Sequence, residues 1–413
     1  MVLVNTMVIQ EFFILLEGAL FRITIGIAAA VLLFFILTIG FSWVGALKRK
    51  IRTRISRKIH ASLIGYLLEE TAPDCLRCKR MQRNAAIDAF ATVLLDIKGR
   101  KRVRMKEAAV SLGLVRYIEK GLGAALSSKR MRSSHTLGIL GSRHNVQRII
   151  RVLSDSNPKV VSAAIIALGE LRDERAVSNL LRLYGTCPLS QAWLIAAILP
   201  FFGPGIYPHL KPLILDPSYP PSRTILLVKV ISGLRLTESL EVLQRLYGES
   251  GSLDVRINAL IAIGKINDLF AVKTVIDALS DTEWQVRAVA CNLIGDMAIK
   301  GAVDRLAALL TDESWFVRKN SAAALVQLGS IGIMELINTL NGDDRYAKDM
   351  VVQTLQEQGV FERILRHLGG GDERRKKTAY RVVRFLSRKG YRNYLENYRD
   401  LFPVIEELLQ RVG

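Results

Sequence analysis

Cys75 and Cys78 are the residues whose type and spacing come nearest to a chemical motif in this sequence. A Cys-x-x-Cys pair holds structural zinc when a second pair or a histidine cluster completes four ligands, and it works as a redox site inside a βαβ frame. Neither companion is present. Cys187 and Cys291 stand alone, and His60, His135, His144, His209 and His367 are scattered. Arg77, Lys79 and Arg80 favour the thiolates electrostatically, but the pair is expected to be structural. No phosphate loop, dinucleotide fingerprint or His-Glu-x-x-His is present. No catalytic, cofactor-binding or metal-ligating residue is therefore assigned, and the chain is not expected to be an enzyme. Four cysteines in 413 residues are too sparse for a disulfide-stapled fold.

The elements that would position such residues begin with a membrane signal. From Ile23 to Leu47 the chain runs 25 residues without a charge. As a helix this run reaches roughly 37 Å at ~1.5 Å per residue, enough for a ~30 Å hydrocarbon core. Trp43 lies near its end, where an indole prefers the headgroup layer. Glu11, Glu17 and a single Arg22 precede the run, while Lys48, Arg49, Lys50, Arg52, Arg54, Arg57 and Lys58 follow it. A cleaved signal peptide has the opposite order of charge. Residues 1–47 are read as a single-pass anchor in the cell (inner) membrane, with the C-terminal bulk in the cytoplasm.

The net charge of +20 is concentrated behind that anchor. Residues 48–151 hold 25 basic and 7 acidic residues, whereas residues 152–368 hold 21 and 23. The densest internal block is Lys98, Arg100, Lys101, Arg102, Arg104 and Lys106. Next to an anchor, such charge points to anionic lipid, at ~1 kcal/mol per basic residue. Nucleic-acid phosphates are the rival ligand.

Self-similarity organises the remainder. Asp281-Thr282-Glu283-Trp284-Gln285-Val286-Arg287 returns 31 residues later as Asp312-Glu313-Ser314-Trp315-Phe316-Val317-Arg318, and Asp254-Val255-Arg256 precedes it by the same step. Gly138 and Gly169, then Gly233, Gly264 and Gly295, keep the period. Each unit reads as two helices. The first runs from the Val-Arg to the glycine, which is expected to end it or to admit a tight turn, and the second begins near Ala176, Ala271 or Ala302. Asp173 and Asp268 are placed as N-caps. Neither helix buries its apolar stripe alone, so the units must stack.

The pattern resembles the HEAT repeat, in the short form also seen in phycobilin lyases. The resemblance implies an all-α fold, an α-α superhelix, which here follows the single transmembrane helix read from residues 23–47. It also implies a structural ladder between neighbouring units, involving Asp281, Arg287, Asp312, Arg318 and Arg256. The resemblance implies no particular activity.

The regions are therefore residues 1–47, the anchor; 48–129, a basic juxtamembrane helical region of degenerate repeats; 130–368, the HEAT-like array; and 369–413, a helical cap. Eight of the eleven prolines fall between Pro188 and Pro221, beside Trp193, Phe201, Phe202 and Tyr207, which are the candidate partner contacts. The expected function is a membrane-anchored cytoplasmic scaffold or adaptor. Its expected partners are membrane lipid, through the N-terminal helix and basic region, and a membrane-associated protein. A membrane-tethered nucleic-acid binder and a lyase-type enzyme on the same scaffold are the alternatives.

Overall fold

The structure is a computed structural model. It describes residues 31–40, most of 42–67, 83–266, 268–369, 372–387 and several residues of 391–405. Among the described residues every regular element is helical. The chain divides into two compact units, Met1–Leu171 and Arg172–Gly413.

In the first unit, α1 (Arg83–Asp96), α2 (Gly99–Ser111), α3 (Leu114–Gly121), α4 (Ser127–Leu140), α5 (Val146–Val152) and α6 (Pro158–Leu171) follow in order. Helix α4 lies along α6, with α1 and α3 packed on α4 and α5 on α6. Leu137, Leu140, Ile149, Ile165 and Leu168 are fully buried. Each such side chain gains about 1.5–3 kcal/mol over its exposed state.

In the second unit, α7 (Val177–Thr186) leads into a series of hairpins. These are α8 (Leu189–Ile198) with α9 (Tyr207–Ile214), α10 (Pro221–Leu234) with α11 (Leu240–Glu249), and α12 (Leu253–Ile266) with α13 (Leu269–Asp277). Then come α14 (Trp284–Asp296) with α15 (Val303–Ala308), α16 (Trp315–Gln327) with α17 (Ser330–Thr339), and α18 (Arg345–Glu357) with α19 (Val360–Leu365). Helices α20 (Glu373–Leu386) and α21 (Arg392–Glu396) complete the described chain. The first helices stack in sequence, α8 on α10, then α12, α14, α16 and α18. This is an α-helical solenoid built from nearest-neighbour contacts. Asp173 and Asp268 accept from the Arg175 and Phe270 amides, while Asp344 and Asp372 cap α18 and α20 in the same way.

Two glycine columns serve different ends. Gly138, Gly264 and Gly295 stand in the last turns of α4, α12 and α14, near the helix ends that the sequence predicts, but still inside the helices. A Cβ at Gly138 would sit 2.6 Å from the Ala167 Cα, and one at Gly264 would sit 2.8 Å from a Leu293 methyl. The missing side chain is what lets successive first helices touch. A second column, at Gly113, Gly329 and Gly359, takes the positive φ of a helix-ending turn. Arg172, Arg235 and Ala298 also hold a positive φ, at a steric cost.

Eight prolines do not unravel the Pro188–Pro221 stretch, because most stand where a helix begins. Pro188 precedes α8, Pro204 and Pro208 open short turns of helix, and Pro220 and Pro221 start α10. The missing amide of proline is not needed in a first turn. Only Pro212 lies inside a helix, α9, which is eight residues long.

About half of the predicted membrane span, residues 23–47, lies outside the described residues. Its described stretch, residues 31–40, is helical and exposed throughout. Among the described residues, no helix is long and apolar enough to cross a membrane. Cys75 and Cys78 also lie outside the described residues.

Candidate partner-binding surface

Arginine–aspartate rungs lock one repeat to the next. Arg287, near the start of α14, sends Nε and Nη2 to the two carboxylate oxygens of Asp312, at 2.8 and 3.0 Å. Its Nη1 donates to the carbonyls of Asp281 and Thr282. Arg130 grips Asp155 in the same two-pronged way, at 2.6 and 2.9 Å, and donates to Ala124 and Ala125. Arg256 donates to Asp281 at 2.6 Å, and the Tyr247 hydroxyl donates to the same oxygen at 2.8 Å. Each rung joins residues 25 apart in sequence.

The aspartates also organise the turns in front of the next helix. Asp155, Asp281 and Asp312 accept from the Asn157, Glu283 and Ser314 amides. Burial opposes ionisation of Asp281 and Asp312. The amide bonds and the neighbouring Tyr247, Arg256 and Arg287 donors outweigh it, so both carboxyls titrate below the ordinary aspartate range. The Arg130 bond does the same to Asp155. Charge held this way fixes register rather than supplying reactivity.

An aromatic row runs beside the rungs. Trp284, Trp315 and Tyr346 sit 31 residues apart at the starts of α14, α16 and α18, and are 39, 42 and 71% exposed. Phe316 is also exposed. It stacks on Trp284 at 5.2 Å between ring centres and meets the Trp315 edge at 5.2 Å. Lys319 lies over Trp315, and Arg318 over Tyr346. The resemblance assigns a structural role to the Asp and Arg of the 281–287 and 312–318 heptads and none to their aromatics. Tyr346 completes the same 31-residue series, and that was the signal for a shared face.

The six-residue basic block divides in two. Lys98, Arg100 and Lys101 are exposed. Arg102 turns back to the Leu94 carbonyl at 3.0 Å, Arg104 donates to the Tyr66 hydroxyl at 3.2 Å, and Lys106 donates to the Gly141 carbonyl at 3.0 Å. Burial lowers the Lys106 pKa, and the Arg102 charge adds to the effect. Lys50 and Arg54 are exposed, while Lys48, Arg49 and Arg52 lie outside the described residues.

The proline-rich segment divides likewise. Trp193 and Phe201 are about half exposed, under Lys229 and Arg172 respectively. Phe202 and Tyr207 are buried, and the Tyr207 hydroxyl donates to the Glu238 carbonyl. They belong to the core.

A cleft of about 440 Å³ beside α10 and α11 is lined by Tyr219, Thr224, Arg245 and Glu249 among mostly apolar neighbours. Cys187 and Cys291 are buried and free. Burial pushes the Cys291 thiol up to about 12. Among the described residues, no three His, Cys, Asp or Glu side chains converge to hold a metal ion.

Residues 119–198 and 272–356 match the family model of HEAT repeats. No curated protein matches the sequence. Among solved structures the chain is similar to Kap121p, at 11% identity over 81% of this chain and 44% of that one, with a TM-score of 0.45. It is similar to the CpcE–CpcF complex of phycocyanin lyase from Nostoc sp. PCC7120, at 16% identity over 59% of this chain and 94% of that one, with a TM-score of 0.30. It is also similar to human deoxyhypusine hydroxylase, at 19% identity over 68% of this chain and 98% of that one, with a TM-score of 0.26. The chain spans less than half the length of Kap121p. What these findings establish is an all-α helical repeat fold among the described residues, of which residues 119–198 and 272–356 match HEAT repeats.

Proposed function

We propose that this protein is a membrane-anchored cytoplasmic scaffold whose repeat array binds a protein partner at the bilayer. The observation that carries the reading is the row of Trp284, Trp315, Phe316 and Tyr346, left exposed on three successive repeats. Large aromatics rarely stay uncovered in a series unless another surface covers them. Nothing in the rungs or the cleft assembles a nucleophile with a base, so binding accounts for the surface better than catalysis does.

The anchor rests on the 25 uncharged residues from Ile23 to Leu47 and the basic cluster that follows. Lys98, Arg100 and Lys101, exposed at the start of α2, supply further charge for an anionic leaflet. Tethering raises the effective concentration of the array for any partner in the same membrane.

A photo-crosslinking residue placed at Thr282, exposed beside Trp284, tests the reading in intact cells. A single membrane protein should be captured reproducibly, and capture should fail when Trp315 is replaced by alanine. Recovery of uncrosslinked monomer alone, or of nucleic acid, would overturn it.

A further inference from the structure

The rungs are unequal, most of all at Arg318. Arg318 occupies in α16 the position that Arg287 occupies in α14, one 31-residue step later. Its Nη1 donates to the Asp312 and Glu313 carbonyls at 2.7 and 3.1 Å, reproducing the Arg287 bonds to Asp281 and Thr282. The other edge of the guanidinium differs. In Arg287 and Arg130 that edge, Nε with Nη2, is filled by both oxygens of an aspartate. In Arg318, Nε is buried without an acceptor, and the hydrogen bonds of the group go to backbone carbonyls rather than to a carboxylate. A buried, unsatisfied donor of a charged group is costly.

The residue that the repeat would supply is Asp343, 31 positions after Asp312. It is exposed and makes no rung, while Asp344 has taken over the turn by accepting from the Ala347 amide. Tyr346, 71% exposed, stands with its ring 5.7 Å from the vacant guanidinium. Trp315, Phe316 and Lys319 continue the same surface.

We propose that Arg318 is a carboxylate-binding site for the partner: an acidic side chain of a bound peptide segment, flanked by apolar residues, completes the rung. The acid lies against Nε and Nη2 in the two-pronged geometry that Asp155 and Asp312 adopt on their own arginines. Tyr346 swings aside to admit it, and the flanking apolar residues cover Trp315 and Phe316. This inference rests on the partner-binding reading and adds the chemistry that the partner must bring.

The test uses the full chain in detergent micelles against an oriented peptide library, in which each position in turn is fixed and the others vary. Selected peptides should be enriched in Asp or Glu next to an aromatic or aliphatic residue. Arg318→Gln should weaken the selected peptide at least tenfold, Arg318→Lys less, and Asp343→Asn not at all. Absence of acidic enrichment, or binding by Arg318→Gln within twofold of the parent, would sink the proposal. So would a fall in melting temperature for Asp343→Asn as large as that for Asp312→Asn, because Asp343 would then be the missing rung. If the membrane partner is still captured in cells by the Arg318→Gln protein, the site is wrong while the scaffold reading stands.

Discussion

Arg287 and Asp312 clasp each other across a repeat junction through two near-parallel hydrogen bonds of 2.8 and 3.0 Å, with 17 and 6% of their side chains exposed. Replacing either partner leaves the other half-buried and uncompensated, which costs roughly 3–5 kcal/mol in well-buried pairs. Arg287→Gln and Asp312→Asn should each destabilise the chain by about 2–4 kcal/mol at neutral pH, somewhat less because both groups retain contact with water. The double variant should cost less than the sum. A denaturant titration of the four proteins reads the coupling directly.

Acid should weaken the same rungs. Asp155, Asp281 and Asp312 titrate below the ordinary aspartate range in the folded chain. A group with a depressed folded pKa binds protons more readily when unfolded, so its contribution is complete above the unfolded value, ~3.9, and disappears as pH falls through the folded value. The melting temperature should begin to drop below about pH 5 and fall steeply towards pH 3. Asp312→Asn should show a shallower acid slope, and an equal slope would count against the ladder as the cause.

Two helical glycines give opposite signs for one substitution. Gly138→Ala drives a methyl to within 2.6 Å of the Ala167 backbone, and overpacking of this kind costs about 1–3 kcal/mol. Gly233, inside α10, has nothing within 4 Å of its would-be Cβ. There Gly233→Ala should stabilise by about 0.5–1 kcal/mol through helix propensity and a stiffer unfolded chain. Two thermal melts decide the matter.

Ala298 holds φ at +53° where Gly329 and Gly359 hold +76° and +63°. Ala298→Gly relieves that strain and should stabilise by up to about 1 kcal/mol, against the usual direction of an alanine-to-glycine change.

Cys187 and Cys291 are buried, and burial raises both thiol pKa values, that of Cys291 to about 12. Thiolate is the reactive form, so neither should be alkylated by iodoacetamide at pH 8 in the folded chain. Peptide mass mapping before and after denaturation checks this. Rapid native labelling of Cys291 would mean that α14 opens.

The repeats were legible because stacking imposes a strict period on the residues that touch. The heptads at 281 and 312 and the glycines at 264 and 295 show it without coordinates. Which glycine bends a turn and which admits a neighbour was not legible, since both are simply small in sequence and only packing separates Gly295 from Gly329. The basic block likewise reads as uniform charge, yet Arg104 and Lys106 bond inward while Lys98 and Lys101 face water. Helix phase decides that division, and six adjacent residues sample the whole circumference. Exposure of Trp284 and Trp315 was hidden for a related reason, because a recurring tryptophan fits a core position as readily as a binding face.

A rung reaches 25 residues along the chain and stops at the adjoining hairpin. Duplicating residues 281–311 would therefore insert a complete module, with its own acid for the arginine before it and its own arginine for the acid after it. Growth by such tandem copying needs no adjustment elsewhere, so a lineage of these proteins can differ in reach by whole modules while keeping every junction chemically alike.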